Sequence, residues 1–232
     1  MGKRIIQQAR GHGSMTYQVR KSAYRYEINY PLVEGKGIVE KLLNSPAHSA
    51  PLAKIKVKNK IFFNLAFDGM VEGQEIELGK AIGNGNVLQL KDIPTGTRVY
   101  SIESRPGDGG KLVRSAGSSA LVVKKMDYGR VAVLMPSKQE AVFDGRCRAT
   151  IGIIAGSGRL DKPIVKAGKH WHMMKARNKL WPRTSAVKMN AVDHPFGSGR
   201  GKRIKSKIAK RNAPPGARVG HIRPSRTGRR KR

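Results

Sequence analysis

The stretch LAKIKVK (residues 52–58) alternates apolar and basic residues, which places Ala53, Ile55 and Val57 on one side of an extended chain and lysines on the other. Alternation with a period of two is typical of a half-buried β-strand. Asn59-Lys60 supplies a turn before a second run, IFFNLAF (61–67), which Asp68-Gly69 closes. The sequence therefore predicts a β-hairpin here.

Further short apolar runs follow this hairpin, separated by turns rich in glycine, proline and aspartate. They are QEIEL (74–78), VLQL (87–90), TRVYSIE (97–103), SALVVKKM (119–126), RVAVLMP (130–136), EAVF (140–143) and ATIGII (149–154). Many short strands at a spacing of about 8–12 residues, with glycine-rich turns, are typical of small antiparallel barrels. The sequence predicts a mainly β fold with two barrels, which join near residues 84–96.

Charge divides the chain into regions of different character. Its 232 residues hold 47 Lys+Arg against 15 Asp+Glu, a formal net charge of +32. Residues 34–84 hold seven basic against six acidic residues, whereas residues 169–232 hold twenty against one. The predicted organisation is a basic N-terminal extension (1–33), a first barrel (34–84), a second barrel (85–168) and a basic C-terminal extension (169–232).

The two ends lack the apolar periodicity that a buried core requires. Basic segments of this kind order when a polyanion neutralises them, so we expect extended arms. A net charge of +32 is costly for an isolated protein and favours nucleic acid as the partner, with an anionic membrane surface as the less favoured alternative. A DNA-compacting architectural protein is a second alternative, since charge alone would serve it.

Cysteine content and the N-terminus predict a cytoplasmic protein. The single cysteine, Cys147, excludes an internal disulfide framework, fits a reducing compartment and is interpreted as a small buried hydrophobe. The N-terminus lacks the apolar segment of a secretory signal, and Ile6 stands where a myristoylation motif requires Ser or Thr. No apolar run approaches the length of about 18 residues that a membrane span needs.

Glycine-rich groups are the first candidates for chemistry. None forms a P-loop or opens a dinucleotide-binding unit, and GNGN (83–86) is interpreted as a tight barrel turn. In GSGR (156–159) and GSGRG (197–201) an arginine follows bare backbone, which can approach a phosphate closely. The first group predicts RNA contacts at Gly156, Ser157, Gly158 and Arg159.

The segment KHWHMMKARNKLWPR (169–183) carries both tryptophans of the chain among five Lys/Arg. Two interpretations stand equally: the rings stack on bases or sugars, or one of them packs against the second barrel. Predicted RNA contacts here are Lys169, His170, Trp171, Arg177, Trp181 and Arg183. His170, His172, His194 and His221 do not predict a metal site, because acids and further cysteines are nearly absent from this region. No cofactor is predicted.

The segment MNAVDHPFGSGRGKR (189–203) places Asp193 beside His194. Neighbouring side chains on an extended chain point to opposite sides, and nothing around them supplies a nucleophile or a rigid pocket. A catalytic site is therefore not predicted, and the segment is interpreted as a backbone hook for phosphate. Its predicted RNA contacts are Asn190, Asp193, His194, Gly197, Gly199, Arg200, Lys202 and Arg203.

Over nearly its whole length the chain resembles the universal L-two family of large-subunit ribosomal proteins, in its archaeal and eukaryotic branch. The resemblance is carried by SAPLAKI (49–55), GNVLQLKDIPTGT (85–97), ESRPGDGGKLVRSAGSSA (103–120), CRATIGIIAGSGRLDKPIVKAGKHW (147–171) and MNAVDHPFGSG (189–199). It implies an oligonucleotide-binding-like barrel followed by an SH3-like barrel, flanked by arms that penetrate ribosomal RNA. Departures from the family pattern are Ser185–Lys188, Ala191, Phe196 and Ser198.

The resemblance also implies a function and partners. Members of the family bind large-subunit rRNA near the peptidyl-transferase region and support subunit association and tRNA binding. The histidine of their VDHP motif, here His194, is important for peptide-bond formation, but the peptidyl transferase is RNA, so the implied role is supporting. Expected partners are large-subunit rRNA, neighbouring ribosomal proteins and the small subunit, with no membrane and no homo-oligomer.

Overall fold

The computed structural model describes residues 2–199, 208–209 and 211–223. The chain divides into two compact units. The larger unit is Arg20–Lys169, and the smaller combines Met1–Val19 with His170–Arg232. The smaller unit therefore brings together segments from the two ends of the chain.

Among the described residues the larger unit forms one sheet of ten strands. In chain order the strands are β1 (Gly35–Leu43), β2 (Leu52–Val57), β3 (Lys60–Leu65), β4 (Glu75–Leu78), β5 (Val87–Gln89), β6 (Arg98–Tyr100), β7 (Ala120–Lys125), β8 (Arg130–Leu134), β9 (Glu140–Asp144) and β10 (Arg148–Ile151). Their order across the sheet is β3-β2-β1-β4-β5-β10-β6-β7-β8-β9. Neighbours pair antiparallel except β4 and β5, which are parallel and meet at Leu78 and Val87.

Each run predicted to be a strand contains one, but β1 was not predicted. The buried residues of β1 are Gly37 and Val39, and Leu42 and Leu43 near its end are only partly buried. Because Gly37 has no side chain, the apolar alternation that would predict this strand is missing from its first half. The predicted turn is also displaced by one residue. Val57 pairs with Lys60, so the loop is Lys58-Asn59, and Lys58 has a left-handed φ of 51°.

Two hydrophobic cores lie in the larger unit. The first includes Leu52, Ile55, Leu65, Ile76, Val87 and Tyr100. The second includes Leu88, Leu90, Val99, Val122, Val133 and Cys147. Adjacent residues of β5 and β6 belong to different cores, because successive side chains of a strand point to opposite faces. The mainly β fold class is confirmed, and the two cores are consistent with an oligonucleotide-binding-like barrel and an SH3-like barrel.

Two details refine this organisation. Ile28 and Tyr30, in the predicted N-terminal extension, belong to the first core. The interpretation of Cys147 as a buried hydrophobe is confirmed: its side chain is fully buried in the second core, and burial raises the pKa of its thiol to about 11. In the described part of the chain no helix combines the length and apolar character needed to cross a membrane.

A buried ion pair fixes the loop that follows β6. Glu103 is fully buried, and its Oε1 accepts hydrogen bonds from Arg148 Nη2 at 2.8 Å and Arg148 Nε at 3.1 Å. The backbone N–H of Arg148 donates to Oε2 at 2.8 Å, and those of Gly107 and Gly109 donate to the same carboxylate at 3.2 Å. This explains the acid of ESRPGDGG, a role that the sequence alone did not reveal.

The same cluster holds the N-terminal segment of the larger unit in place. Arg148 Nη1 donates to the carbonyl of Pro31 at 2.7 Å, and the guanidinium carbon lies 5.3 Å from the ring centroid of Tyr30. Burial raises the pKa of Tyr30 to about 12, so its hydroxyl keeps its proton and donates to the Ser101 carbonyl at 2.7 Å. The Tyr30 hydroxyl also lies 2.6 Å from Thr150 Oγ1. Tyr30 and Pro31 are thus tied to β10 and to Ser101, the residue that follows β6.

Candidate nucleic-acid interface

The GSGR turn lies in the larger unit. Gly156 has left-handed backbone angles (φ 83°, ψ 34°), and a short 3₁₀ helix, Ser157–Arg159, follows directly. A left-handed residue followed by a right-handed one turns successive N–H groups toward one side and forms a nest that suits an anion. Gly156, Ser157 and Gly158 are exposed, so the nest faces solvent.

A neighbouring loop fixes this turn. A Cβ on Gly117 would lie 2.5 Å from the Cα of Ser157, so only glycine allows the two segments to approach this closely. Gly117 N–H donates to the Ile154 carbonyl at 3.0 Å. Arg159 is half-buried, and its Nε is buried without a hydrogen-bond partner in the described part of the chain. The geometry thus presents a rigid nest with an arginine beside it.

Lys169, His170 and Trp171 lie on the helix α2 (Ala167–Ala176), which follows the short helix α1 (Ile6–Ala9) in chain order and was not predicted. None of its residues is buried, which explains why the sequence shows no sustained apolar face. The signal that could have revealed it is the run from Lys169 to Ala176, which contains no glycine, proline or β-branched residue. Trp171 is 38% exposed and makes an edge contact with the His172 ring at 4.9 Å.

The chain reverses direction after α2. Asn178 has a left-handed φ of 55°, and the N–H of Lys179 donates to the Met174 carbonyl at 2.9 Å, which closes the end of the helix. The reversal brings Trp181 back to α2, where its ring centroid lies 4.3 Å from that of His170. Two predicted contacts, His170 and Trp181, therefore form one aromatic pair. Arg177 and Arg183 are both exposed, one on either side of Trp181 in the sequence.

The hook forms a closed loop in the smaller unit. His194 is buried, and its Nδ1 accepts a hydrogen bond from the N–H of Phe196 at 3.0 Å. The two rings also pack, with centroids 5.2 Å apart. The N–H of Gly197 donates to the His194 carbonyl at 2.8 Å, and that of Ser198 donates to the Met189 carbonyl at 3.1 Å. His194 therefore braces its own loop.

The two glycines of the hook, Gly197 and Gly199, are needed for different structural reasons. Gly197 is buried, and a Cβ there would overlap the carbonyl group of Asn190, so this glycine permits a close approach of two backbone segments. Gly199 is exposed and has a left-handed φ of 109°. Asn190 is itself exposed, and its carbonyl accepts from the N–H of His194 at 3.2 Å. The loop is thus closed from within and exposes residues at its edge.

Asp193 and His194 contact different residues. The Asp193 carboxylate lies 3.2 Å from the Nζ of Lys3, and the backbone N–H of Lys3 donates to the Val192 carbonyl at 2.8 Å. The N-terminal segment thus runs along the hook. An aspartate engaged with Lys3 and a histidine engaged with Phe196 do not have the arrangement of a catalytic pair.

Three predicted contacts, Arg200, Lys202 and Arg203, lie outside the described residues. Within the described ranges, no group of three or more His, Cys, Asp or Glu side chains has an arrangement suited to a metal ion.

Replacing His194 with alanine is expected to loosen the hook. The variant removes the acceptor of the Phe196 N–H, and an unsatisfied, partly buried donor costs about 1–3 kcal/mol of local stability. We expect faster hydrogen exchange at the Phe196 amide, measured by NMR. His194→Asn is the matched control, because its Oδ1 can take the place of Nδ1 as acceptor and restore protection. Equal exchange in all three proteins would contradict the bracing role.

Comparisons with known proteins identify the family of the chain. Residues 83–216 match the family described as "Ribosomal Proteins L2, C-terminal domain". The chain is 46% identical to "Large ribosomal subunit protein uL2" of Methanococcus maripaludis, and the alignment covers 99% of this chain and 100% of the relative. It is 44% identical to the protein of the same name from Methanococcoides burtonii, and that alignment covers 99% of this chain and 100% of the relative. It is also 44% identical to the protein of that name from Archaeoglobus fulgidus, and that alignment covers 98% of this chain and 99% of the relative. The chain therefore belongs to the L-two family of ribosomal proteins.

Proposed function

We propose that the protein is a non-enzymatic structural constituent of the large ribosomal subunit, located in cytoplasmic ribosomes, where it binds large-subunit rRNA. The observation that carries the proposal is where the cations lie. The two segments of the smaller unit, residues 1–19 and 170–232, hold 22 of the 47 Lys+Arg but 1 of the 15 Asp+Glu. Such segments attract phosphate strongly and in a salt-dependent manner. Family membership supplies the independent support.

In this proposal the barrels and the basic segments have separate tasks. The two barrels, with the predicted bounds 34–84 and 85–168, dock on folded RNA, and the nest at Gly156–Arg159 receives a backbone phosphate. The basic segments, 1–33 and 169–232 in the predicted division, neutralise phosphates where RNA helices crowd together. Contacts of this kind read RNA shape and backbone more than base sequence.

The finer part of the proposal, which rests on membership of the family, is that the protein acts near the peptidyl-transferase region. His194 is engaged in holding the loop closed, so its contribution to peptide-bond formation is to shape neighbouring RNA rather than to transfer a proton. Support of subunit association and of tRNA binding belongs to the same proposal. Neighbouring ribosomal proteins and the small subunit are the proposed protein partners.

Competition between two nucleic acids tests the proposal. A folded large-subunit rRNA fragment and a DNA duplex with the same number of phosphates compete for the intact chain at physiological salt. We expect the rRNA fragment to win by about tenfold or more, because a shaped interface adds to the charge that both ligands satisfy. Preference for the DNA duplex would contradict the proposal and favour a DNA-compacting protein.

A further inference from the structure

A groove in the smaller unit joins two of the predicted RNA contacts, Trp181 and Arg183, to residues of the N-terminal segment that the sequence did not single out. Its volume is about 410 Å³, which lies within the range of about 300–1,000 Å³ typical of small-molecule sites. The N-terminal segment forms one side, and the chain from α2 onward forms the other. The residues that matter for its chemistry are Ile6, Arg10, Tyr17, Met174, Trp181 and Arg183.

Several contacts fix the two sides of the groove. Lys175 Nζ donates to the Thr16 carbonyl at 3.3 Å, which joins the end of α2 to the residue before Tyr17. The Tyr17 N–H donates to the Ser14 carbonyl at 2.9 Å within a local turn. On the other side the Trp181 ring packs on His170 at 4.3 Å. The backbone of Tyr17 and the ring of Trp181 are therefore held by the fold where they line the groove.

The groove combines aromatic surface with positive charge. The Arg10 guanidinium carbon lies 5.9 Å from the centroid of the Tyr17 ring, and Arg183 and Lys179 also line the groove. None of the described residues that line it is acidic. Met174 and Ile6 add apolar surface. Flat aromatic faces beside cations suit a ligand that is itself flat and aromatic and carries negative charge next to its ring.

We propose that this groove receives one unstacked nucleotide of RNA. The base lies against Trp181 and Tyr17, and its flanking phosphates lie near Arg10 and Arg183. Stacking of an extruded base on aromatic side chains is a common means of RNA recognition, and it adds base dependence to an otherwise electrostatic interaction. The inference rests on the proposed function. RNA is favoured over an acidic protein segment because glutamate and aspartate satisfy the cations but leave the aromatic faces unused.

The test uses the full chain and two RNA hairpins. One hairpin carries a single bulged adenosine, and the other carries an abasic residue at the same position, so their phosphates are identical. We expect the unmodified protein to bind the bulged hairpin about tenfold more tightly, as stacking of one base on an aromatic ring predicts. The Trp181→Ala variant is expected to bind both hairpins equally, with the affinity that the unmodified protein has for the abasic hairpin.

Two further variants separate stacking from folding. Tyr128→Ala is the matched control, because Tyr128 is a fully exposed aromatic residue that does not line the groove, and it should keep the tenfold preference. Trp181→Phe keeps an aromatic face and should restore most of it. Equal affinity of the unmodified protein for both hairpins would overturn the inference but leave salt-dependent RNA binding intact. Failure to bind either hairpin would overturn the proposed function as well. Stronger binding of an acidic peptide than of the bulged hairpin would assign the groove to a protein partner and would contradict the inference that it binds a nucleotide.

Discussion

Replacing Glu103 with alanine is expected to lower the free energy of unfolding by about 3–5 kcal/mol, the usual cost of removing one partner of a buried ion pair. The variant leaves the Arg148 guanidinium without its carboxylate, and it leaves the N–H groups of Gly107 and Gly109 without their acceptor. The loss is measured by urea denaturation of the full chain, followed by far-ultraviolet circular dichroism.

Glu75→Ala is the matched control for this prediction. Glu75 also faces a cation, but its carboxylate lies 3.9 Å from Lys36 Nζ and both side chains are largely exposed. Exposed ion pairs contribute little, so this variant should unfold almost as the unmodified protein does. If the two variants lost the same stability, the buried cluster around Glu103 would not hold the larger unit together.

Removing residues 1–19 and 170–232 is expected to separate folding from RNA binding. Both hydrophobic cores and all ten strands lie within Arg20–Lys169, so the truncated chain should remain soluble and rich in β-structure. It loses 22 of the 47 Lys+Arg. We therefore expect its affinity for a large-subunit rRNA fragment to fall by about a hundredfold or more at physiological salt.

Two measurements check this prediction, circular dichroism for the fold and filter binding for the affinity. A truncated chain that is unfolded would show that the larger unit depends on the terminal segments. A folded truncated chain with undiminished affinity would show that the barrels, rather than the basic segments, carry RNA binding.

Period-two alternation made most of the fold predictable. LAKIKVK places Ile55 and Val57 in the first core, as its pattern indicates. The same rule failed for β1, because glycine at position 37 conceals the buried face of that strand. It also could not reveal that residues 28–31 belong with the barrels, since Tyr30 and Pro31 are held there by polar contacts with residues far away in sequence.

The candidate site was predictable as a set of residues but not as an arrangement. Composition identified Trp181 and His194 as members of basic segments that were expected to be extended. The helix that brings His170 to Trp181 has a local signal, the run from Lys169 to Ala176 without helix breakers, but the Lys3–Asp193 pair that joins the N-terminal segment to the hook has none. That pair is a contact between the two ends of the chain, which periodicity within one segment cannot report. That the predicted residues contact RNA stays a prediction.

The salt dependence of rRNA binding by the intact chain tests the central claim most directly. Each phosphate that the protein neutralises should lower the slope of log affinity against log salt by about 0.7–0.9. For a protein that neutralises about 6–10 phosphates, affinity should fall by about 10³–10⁵ between 50 and 200 mM salt. A nearly flat response would contradict the account, because a chain with a net charge of +32 cannot bind RNA through its basic segments without displacing counterions.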